Sequence, residues 1–462
     1  MSTEQQKNIE ENKMGVMPVG KLLFNMSLPM MISMLVQALY NIVDSIFVAK
    51  LSENALSAVS LAFPLQTLIF AVGGGTCVGL NALLSRALGE KDFKKANDIA
   101  KNGAFLSLLS YFVFLLLGFT VVKPFYAGQL GKSDVEIFSM GVQYLSIVMI
   151  FSFGVFGQFF FERLLTSTGR TVFSMISQLS GAITNIILDP ILIFGLLGAP
   201  KMGVAGAAVA TVIGQCVAAV VAAVCNLKFN HEVDLSLKGF RPSGKIIGPI
   251  YAIGVPSIIM QSIGSIMTYC MNRILISFSS TATAVFGVYF KLQSFFFMPL
   301  FGLNNGITPI IAYNYGAQKK KRMLRTIKLS MIVALCLILV GVVGFELIPG
   351  TLLKMFDASP AMLEIGIPAL RIIGLHFLIA WFCIIAGTVF QALGKAVYSL
   401  VVSVMRQLVV LIPSAYILAH LGGLDATWWA FPIAEGMSLI VSSIYFIRIY
   451  RKIIMPLPDG DW

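Results

Sequence analysis

The chain has 462 residues, of which 57% are hydrophobic and 12% charged, and its formal net charge at pH 7 is +12. A charged fraction so far below the roughly 25% of soluble globular domains excludes a soluble protein and indicates one embedded in a membrane. The basic residues are not accompanied by an aromatic platform or a nucleic-acid-binding motif, so we expect membrane lipids rather than nucleic acid as their partner.

Twelve apolar segments follow one another along the chain, and each is long enough to cross a bilayer, which takes about 20 residues. Lipid offers no hydrogen-bond partners, so each segment must satisfy its own backbone as a helix, and the predicted fold class is all-α. The predicted spans, helices 1 to 12, are residues 22–50, 54–80, 99–122, 138–163, 171–196, 203–227, 247–278, 283–313, 325–349, 364–391, 397–420 and 427–450.

The distribution of lysine and arginine predicts the orientation of these helices. Most of the 33 basic residues, including Arg163 and Arg170, fall in the N-terminal segment, the even-numbered loops and the C-terminal tail. Basic residues concentrate on the cytoplasmic side of membrane proteins with short loops, so both termini are predicted to be cytoplasmic. The first 20 residues lack the apolar core and cleavage site of a signal peptide, so we expect a multi-pass plasma-membrane protein that keeps this end.

The sequence contains two copies of one unit. A shift of 227 positions superposes prolines and glycines of the two halves: Pro29 on Pro256, Gly75 on Gly302, Gly79 on Gly306 and Gly89 on Gly316. Helices 1 to 6 therefore repeat as helices 7 to 12. Six helices return the chain to the side on which it began, so the two bundles are predicted to be pseudo-symmetric about an axis along the membrane normal. A substrate is expected in the cavity between them.

The repeat and the polar stretch at its midpoint predict five segments. They are a cytoplasmic N-terminal segment (1–21), a first lobe with helices 1 to 6 (22–227), a cytoplasmic linker (228–246), a second lobe with helices 7 to 12 (247–450) and a cytoplasmic tail (451–462).

Two aspartates lie inside apolar helices of the first lobe. The repeat places Asp44 opposite Met271 and Asp189 opposite Ser414, so the second lobe lacks both carboxylates. A charged aspartate in mid-bilayer costs about 2.5–3.5 kcal/mol on insertion scales, which favours a functional role over one of only fastening helices together.

Polar neighbours accompany both aspartates at helical spacing. Gln37, Tyr40 and Asp44 follow one another at spacings of three and four residues, so they share one face of helix 1. Asn185 lies one turn before Asp189 on helix 5. Pro190 leaves a backbone carbonyl without its usual donor, and Thr211 on helix 6 is a further hydroxyl candidate. These hard oxygen donors predict a site for a proton or a sodium ion.

Other residues give weaker signals. The six cysteines show no CxxC pairing and predict neither disulfides nor a metal site. Four charges lie inside predicted spans of the second lobe, where we expect them to be buried. They have two interpretations, a structural ion-pair network or contact with an anionic or zwitterionic substrate. They are Arg273, Lys291, Arg406 and Glu435.

Several stretches together resemble the multidrug and toxic compound extrusion (MATE) family across nearly the whole chain. They are "SLPMMISMLVQALYNIVDSIFVAKLSENALSAVSLAFP", "SRALGEKDFKKA", "LLTSTGR", "NIILDPILIFGLLGAPKMGVAGAAVAT" and "PIIAYNYGAQ". The resemblance implies two lobes that rock between outward- and inward-open states, exporting cationic, amphipathic organic compounds in exchange for H⁺ or Na⁺.

The resemblance also implies residue roles. Asp44 and Asp189 match the acidic positions of the family's first lobe, with Asn185, Gln37, Tyr40 and Thr211 around them. Some members carry a carboxylate on helix 7 or 8, where this chain has Arg273 and Lys291. We expect a monomer without a cofactor.

Three other functions were weighed against an exporter. A flippase for lipid-linked precursors, from the same superfamily, remains the alternative, although its cations are expected in the first-lobe cavity. An intramembrane prenyl transferase would need an acidic motif such as DDxxD, which the sequence lacks. Two facing lobes suit alternating access better than a channel.

Overall fold

The computed structural model describes residues 11–130, 135–236, 240–356 and 358–458. Parts of the predicted N-terminal segment, linker and tail, at 1–10, 237–239 and 459–462, lie outside the described residues. Within that part of the chain the regular structure is helical, and ten continuous helices and two bent pairs are long and apolar enough to cross a membrane. With each bent pair taken as one span, the predicted twelve helices are confirmed.

The spans are labelled α1 to α12 in chain order. They are α1 Val19–Ala49, α2 Glu53–Gly89, α3 Phe93–Thr120, α4 Val135–Ile150 with Phe153–Ser167, α5 Thr171–Phe194, α6 Val204–Phe229, α7 Gly244–Ile276, α8 Ser280–Gly316, α9 Lys320–Leu347, α10 Pro360–Gly374 with Phe377–Ala392, α11 Ala396–Thr427 and α12 Ala430–Ile454. Short helices Lys13–Val16, Val122–Gln129, Leu196–Gly198 and Pro349–Lys354 lie between or before them. The bends in α4 and α10 are 42° and 48°.

Several helices are longer than predicted. The α2 helix continues to Gly89 instead of ending at 80, and α3 begins at Phe93 instead of 99. The extension of α2 is largely buried by neighbouring helices, as at Asn81, which is 1% exposed, whereas the added first turn of α3 keeps Lys94 and Lys95 exposed. The α4 helix likewise reaches Ser167, so the prediction that Arg163 lies in a cytoplasmic loop is wrong.

The duplication is visible in the backbone. The α2 and α8 helices each have 37 residues and begin 227 positions apart. Each is capped at its N-terminus by a serine hydroxyl, Ser52 or Ser279, which accepts a backbone hydrogen bond at 3.0 Å. The turns after both helices use a non-glycine residue with positive φ, Lys91 at 57° and Gln318 at 59°. Equivalent local chemistry has therefore produced equivalent local structure in both lobes.

The lobes meet along their first two helices. The α2 helix packs against α7, and α8 packs against α1. At each crossing a glycine lies against backbone of the other lobe, so an added Cβ would clash there. These glycines are Gly75 and Gly79 against α7, Gly302 and Gly306 against α1, Gly89 against Tyr313, and Gly316 against Arg86. We call this set the glycine seal.

The short N-terminal helix Lys13–Val16 touches both lobes on the face that carries the termini. The side-chain amide of Asn12 donates to the carbonyl of Thr168, at the end of α4, at 3.0 Å. The carbonyl of Met14 accepts from the side-chain amide of Asn314, on α8, at 3.1 Å. This helix therefore adds to the contacts that hold the lobes together on the same face as Gly89 and its neighbours.

Candidate functional site

Asp44 of α1 and Asp189 of α5 lie close together inside the first lobe. Their carboxyl groups are within hydrogen-bonding reach of each other. Asp189 is fully buried, and Oδ1 of Asp44 is buried without a hydrogen-bond partner among the described residues. Two carboxylates in contact repel when both are charged, so the pair needs a proton or a cation between its oxygens. The packing of α5 against α1 brings them together.

Asn185 connects the pair to α6. In the orientation of its amide that satisfies both neighbours, the nitrogen donates to Oδ2 of Asp189 at 3.3 Å and the oxygen accepts from the backbone N–H of Thr211 at 3.2 Å. Asn185 is itself 3% exposed, so this network is largely removed from solvent. From the sequence, the position of Thr211 relative to Asp189 depended on a loop of uncertain length. In the structure α5 and α6 pack together and bring Thr211 to Asn185.

A small cavity of about 70 Å³ lies next to this network in the first lobe. Gln37 and Tyr40 of α1 line it, together with Asn185 and Thr211. All six residues predicted for cation handling are therefore in one region, four of them linked by direct contacts and two of them on the adjoining wall.

Sequence reasoning missed two polar residues in this region. Tyr144 of α4 is 2% exposed and close enough to Asp44 and Asp189 to interact with them electrostatically. Its hydroxyl accepts a hydrogen bond from Nε2 of Gln66, on α2, at 2.9 Å. Both residues are isolated polar positions in apolar spans, which is the signal that could have found them.

A larger cavity of about 560 Å³ lies between the lobes. Side chains from α1, α2, α4, α7, α8, α10, α11 and α12 line it, and most of those are apolar residues, amides or hydroxyls. Its volume falls within the range of about 300–1,000 Å³ for drug-sized ligands. Among the described residues that line it, the charged ones are Arg163 and Arg406. Arg163 reaches across to the second lobe and donates to Oδ1 of Asn305 at 2.9 Å.

Glu162 was also missed, because it lies next to the predicted end of helix 4. Its side chain is buried, at 4% exposure, and lines the first-lobe cavity. The carboxylate accepts hydrogen bonds from Gln158 at 3.0 Å, Ser177 at 3.0 Å and Gln178 at 2.8 Å. Three neutral donors thus stabilise a carboxylate inside the lobe.

The four second-lobe charges do not form one group. Arg406 of α11 and Glu435 of α12 form an ion pair at 3.2 Å, and Glu435 is almost fully buried. The expectation that Arg273 and Lys291 are buried is wrong, because both are exposed. Arg273 lies in the last turn of α7, and the ammonium of Lys291 lies 5.8 Å from the ring of Phe356. A long basic side chain near a helix end can extend to the membrane surface, which explains the exposure of Arg273.

The ion pair predicts a difference between two substitutions that each remove one positive charge. Arg406→Met leaves Glu435 buried without its partner, so we expect it to lower the free energy of unfolding by about 1–3 kcal/mol. Lys291→Met removes an exposed charge and should leave the melting temperature in detergent nearly unchanged. Equal melting temperatures for the two variants would contradict a stabilising role for the pair.

The described residues contain no group of three or more His, Cys, Asp or Glu side chains that could hold a metal ion. A cavity between two facing repeats, with an acidic pair inside one of them, is the arrangement of a secondary transporter.

Comparison with known proteins agrees with this class. The MatE family model matches residues 29–191 and 256–417, one copy in each lobe. The chain belongs to the MatE family, whose members are transporters and not enzymes.

Curated relatives and solved structures are similar along nearly the whole chain. Multidrug export protein MepA of Staphylococcus aureus (strain bovine RF122 / ET3-1) is 29% identical over 445 residues, covering 93% of this chain and 94% of the relative. MepA of Staphylococcus haemolyticus (strain JCSC1435) is 29% identical over 459 residues, covering 97% of each. A structure described as the outward-facing conformation of a multidrug resistance MATE family transporter of the MOP superfamily has a TM-score of 0.89 at 26% identity, covering 96% of this chain and 98% of the other.

Proposed function

We propose that the protein is a multidrug exporter of the plasma membrane that moves cationic, amphipathic organic compounds outward in exchange for H⁺ or Na⁺. The observation that carries this proposal is the contact between Asp44 and Asp189 beside a cavity of the first lobe. An acidic pair that needs a proton or a cation gives the transporter a means of coupling to an ion gradient. The MepA relatives are named multidrug export proteins, which supports the outward direction and drugs as substrates.

Asp44 and Asp189 are assigned the binding of the coupling ion. Asn185 donates to Asp189 and is itself held by Thr211, while Gln37 and Tyr40 line the adjoining cavity. A proton bound by the pair removes the repulsion between the carboxylates, and a sodium ion bound by their oxygens does the same. In either case, occupancy changes the charge between α1 and α5, the two helices that carry the pair. Ion binding can therefore alter how α1 packs within the first lobe.

The lobe contacts support an orientation and a working cycle. The glycine seal holds the lobes together near the face that carries the termini, which the basic residues assign to the cytoplasm. We infer that this structure is closed to the cytoplasm and that the central cavity releases its substrate outward. Export then requires the seal to open, so that the cavity can load from the cytoplasm or the inner leaflet. The protein acts as a monomer in this scheme, since both lobes belong to one chain.

The coupling proposal is tested with purified protein in liposomes under proton and sodium gradients imposed in turn. We expect a fluorescent organic cation to move against its own gradient under at least one of the two, because the ion gradient supplies the energy. Collapsing that gradient with an ionophore should stop the movement. Undiminished transport without either gradient, with ATP as the energy source, would contradict the proposal.

The flippase alternative has one observation in its favour, the two arginines that line the central cavity. Such charges suit a pyrophosphate headgroup. The same liposomes therefore also receive a fluorescent lipid-linked sugar. Its movement across the bilayer, with no transport of the organic cation, would favour the flippase.

A further inference from the structure

We propose that Glu162 is the residue that selects positively charged substrates, by receiving the cationic head group of a drug in the first-lobe cavity. This inference rests on the proposed function as an exporter of organic compounds, and it adds a specific recognition group to that function. Glu162 is distinct from the pair Asp44 and Asp189, to which ion coupling is assigned.

The charges around the central cavity motivate this assignment. Its described charged lining residues, Arg163 and Arg406, are both cations, and they repel an organic cation. Arg406 is compensated by Glu435, whereas Arg163 donates to the neutral Asn305. A cationic substrate therefore needs a negative group elsewhere within its reach.

Glu162 supplies that group. Its carboxylate is held by three neutral donors, and no described lysine or arginine forms an ion pair with it, although the neighbouring Arg163 is close enough to interact with it electrostatically. The same cavity is lined by Gln178 and Gln215, whose buried Oε1 atoms have no hydrogen-bond partner among the described residues. One carboxylate and two unpaired carbonyl oxygens match the N–H groups of an ammonium or amidinium head.

The two cavities differ in volume, so they suit different parts of the substrate. The first-lobe cavity, at about 70 Å³, holds little more than a head group, whereas the central cavity has about 560 Å³. Five residues line both cavities and so mark their shared boundary. They are Met34, Gln37, Phe70, Phe159 and Arg163.

Two of the residues on the shared boundary are aromatic. Phe70 and Phe159 form an edge-to-face pair with ring centroids 6.0 Å apart. Aromatic faces attract both a cationic head and a flat aromatic body. An amphipathic cation can therefore place its head against Glu162 while its apolar part stays in the central cavity. Asn185, which bonds to Asp189, lines the same first-lobe cavity, so this head group lies next to the network of the acidic pair.

The inference is tested by dye binding to the full-length protein in detergent, with no ion gradient. The probes are ethidium, which is cationic, and Nile red, which is uncharged. Glu162→Gln should weaken ethidium binding about tenfold or more, because a charge-assisted contact contributes on that scale. Binding of Nile red should be unchanged, and Glu53→Gln, at an exposed position of α2, serves as the control. Unchanged ethidium binding, or equal weakening of both dyes, would overturn the inference.

A second pair of variants covers the case in which Glu162→Gln does not fold. Glu162→Asp and Glu162→Asn have side chains of equal length and differ in charge. We expect the Asp variant to bind ethidium more tightly than the Asn variant, and equal affinities would again overturn the inference. Failure of gradient-driven transport by the unmodified protein would instead count against the proposed function, so the two failures are distinguishable.

Discussion

Asp189→Asn is expected to reduce gradient-driven efflux to the level of liposomes without protein. The asparagine side chain keeps the shape of Asp189, but it carries no negative charge and cannot take up and release a proton. Under the proposed mechanism, Asp44 then loses the acidic partner with which it would hold the coupling ion. Transport of a fluorescent organic cation in proteoliposomes under an imposed gradient measures the effect.

The melting temperature in detergent separates a loss of coupling from a loss of folding. It should change little in Asp189→Asn, because the amide can still bond to Asn185. Asp425→Asn, which changes an exposed aspartate at the end of α11, is the control and should transport normally. Normal efflux by Asp189→Asn would assign Asp189 a structural role.

Gly89→Val is expected to prevent the lobes from closing on the face of the termini. A Cβ at this position would clash with the carbonyl oxygen of Tyr313, which is backbone and has little freedom to move away. Overpacking of this kind costs about 1–3 kcal/mol, and about 1.4 kcal/mol changes a two-state equilibrium tenfold. We therefore expect a large shift away from the closed state and a matching fall in turnover.

The distance between two spin labels measures this shift. Lys94 and Lys321 are exposed and occupy equivalent positions of the repeat, in the first turns of α3 and α9. Spin-labelled cysteines at these two positions therefore report the separation of the lobes. The unmodified protein should show a dominant short distance, and Gly89→Val a longer one. Gly287→Val is the control, since Gly287 lies within α8 with nothing within 4 Å of an added Cβ. Identical distance distributions in the two variants would show that Gly89 does not determine closure.

The acidic pair could be predicted from sequence because it breaks two local patterns. A carboxylate inside an apolar span is rare, and the repeat shows that Met271 and Ser414 occupy the corresponding positions of the other lobe. Helical spacing then identified Gln37, Tyr40 and Asn185 as neighbours. The contact between α1 and α5 was not predictable in this way, because it depends on how the two helices pack.

Residues near the ends of spans were predicted less well. Arg163 was assigned to the loop after helix 4, since charged residues usually end an apolar span, and Glu162 beside it was not singled out. The α4 helix continues past them, and both line cavities inside the protein. The opposite error was made for Arg273 and Lys291. They lie within predicted spans and were expected to be buried, but both are exposed.

The sequence by itself determined the class of protein, the twelve helices, the duplication and the acidic positions of the first lobe. These follow from the length of apolar runs, from self-similarity at one offset and from the cost of placing charge in lipid. Only the tertiary structure decided which side chains meet: Asp44 with Asp189, Arg406 with Glu435, and Glu162 with its cavity. The physical reason is that apolar residues surround a membrane helix on all sides, so its sequence carries little information about which face turns to lipid, to a neighbouring helix or to a cavity.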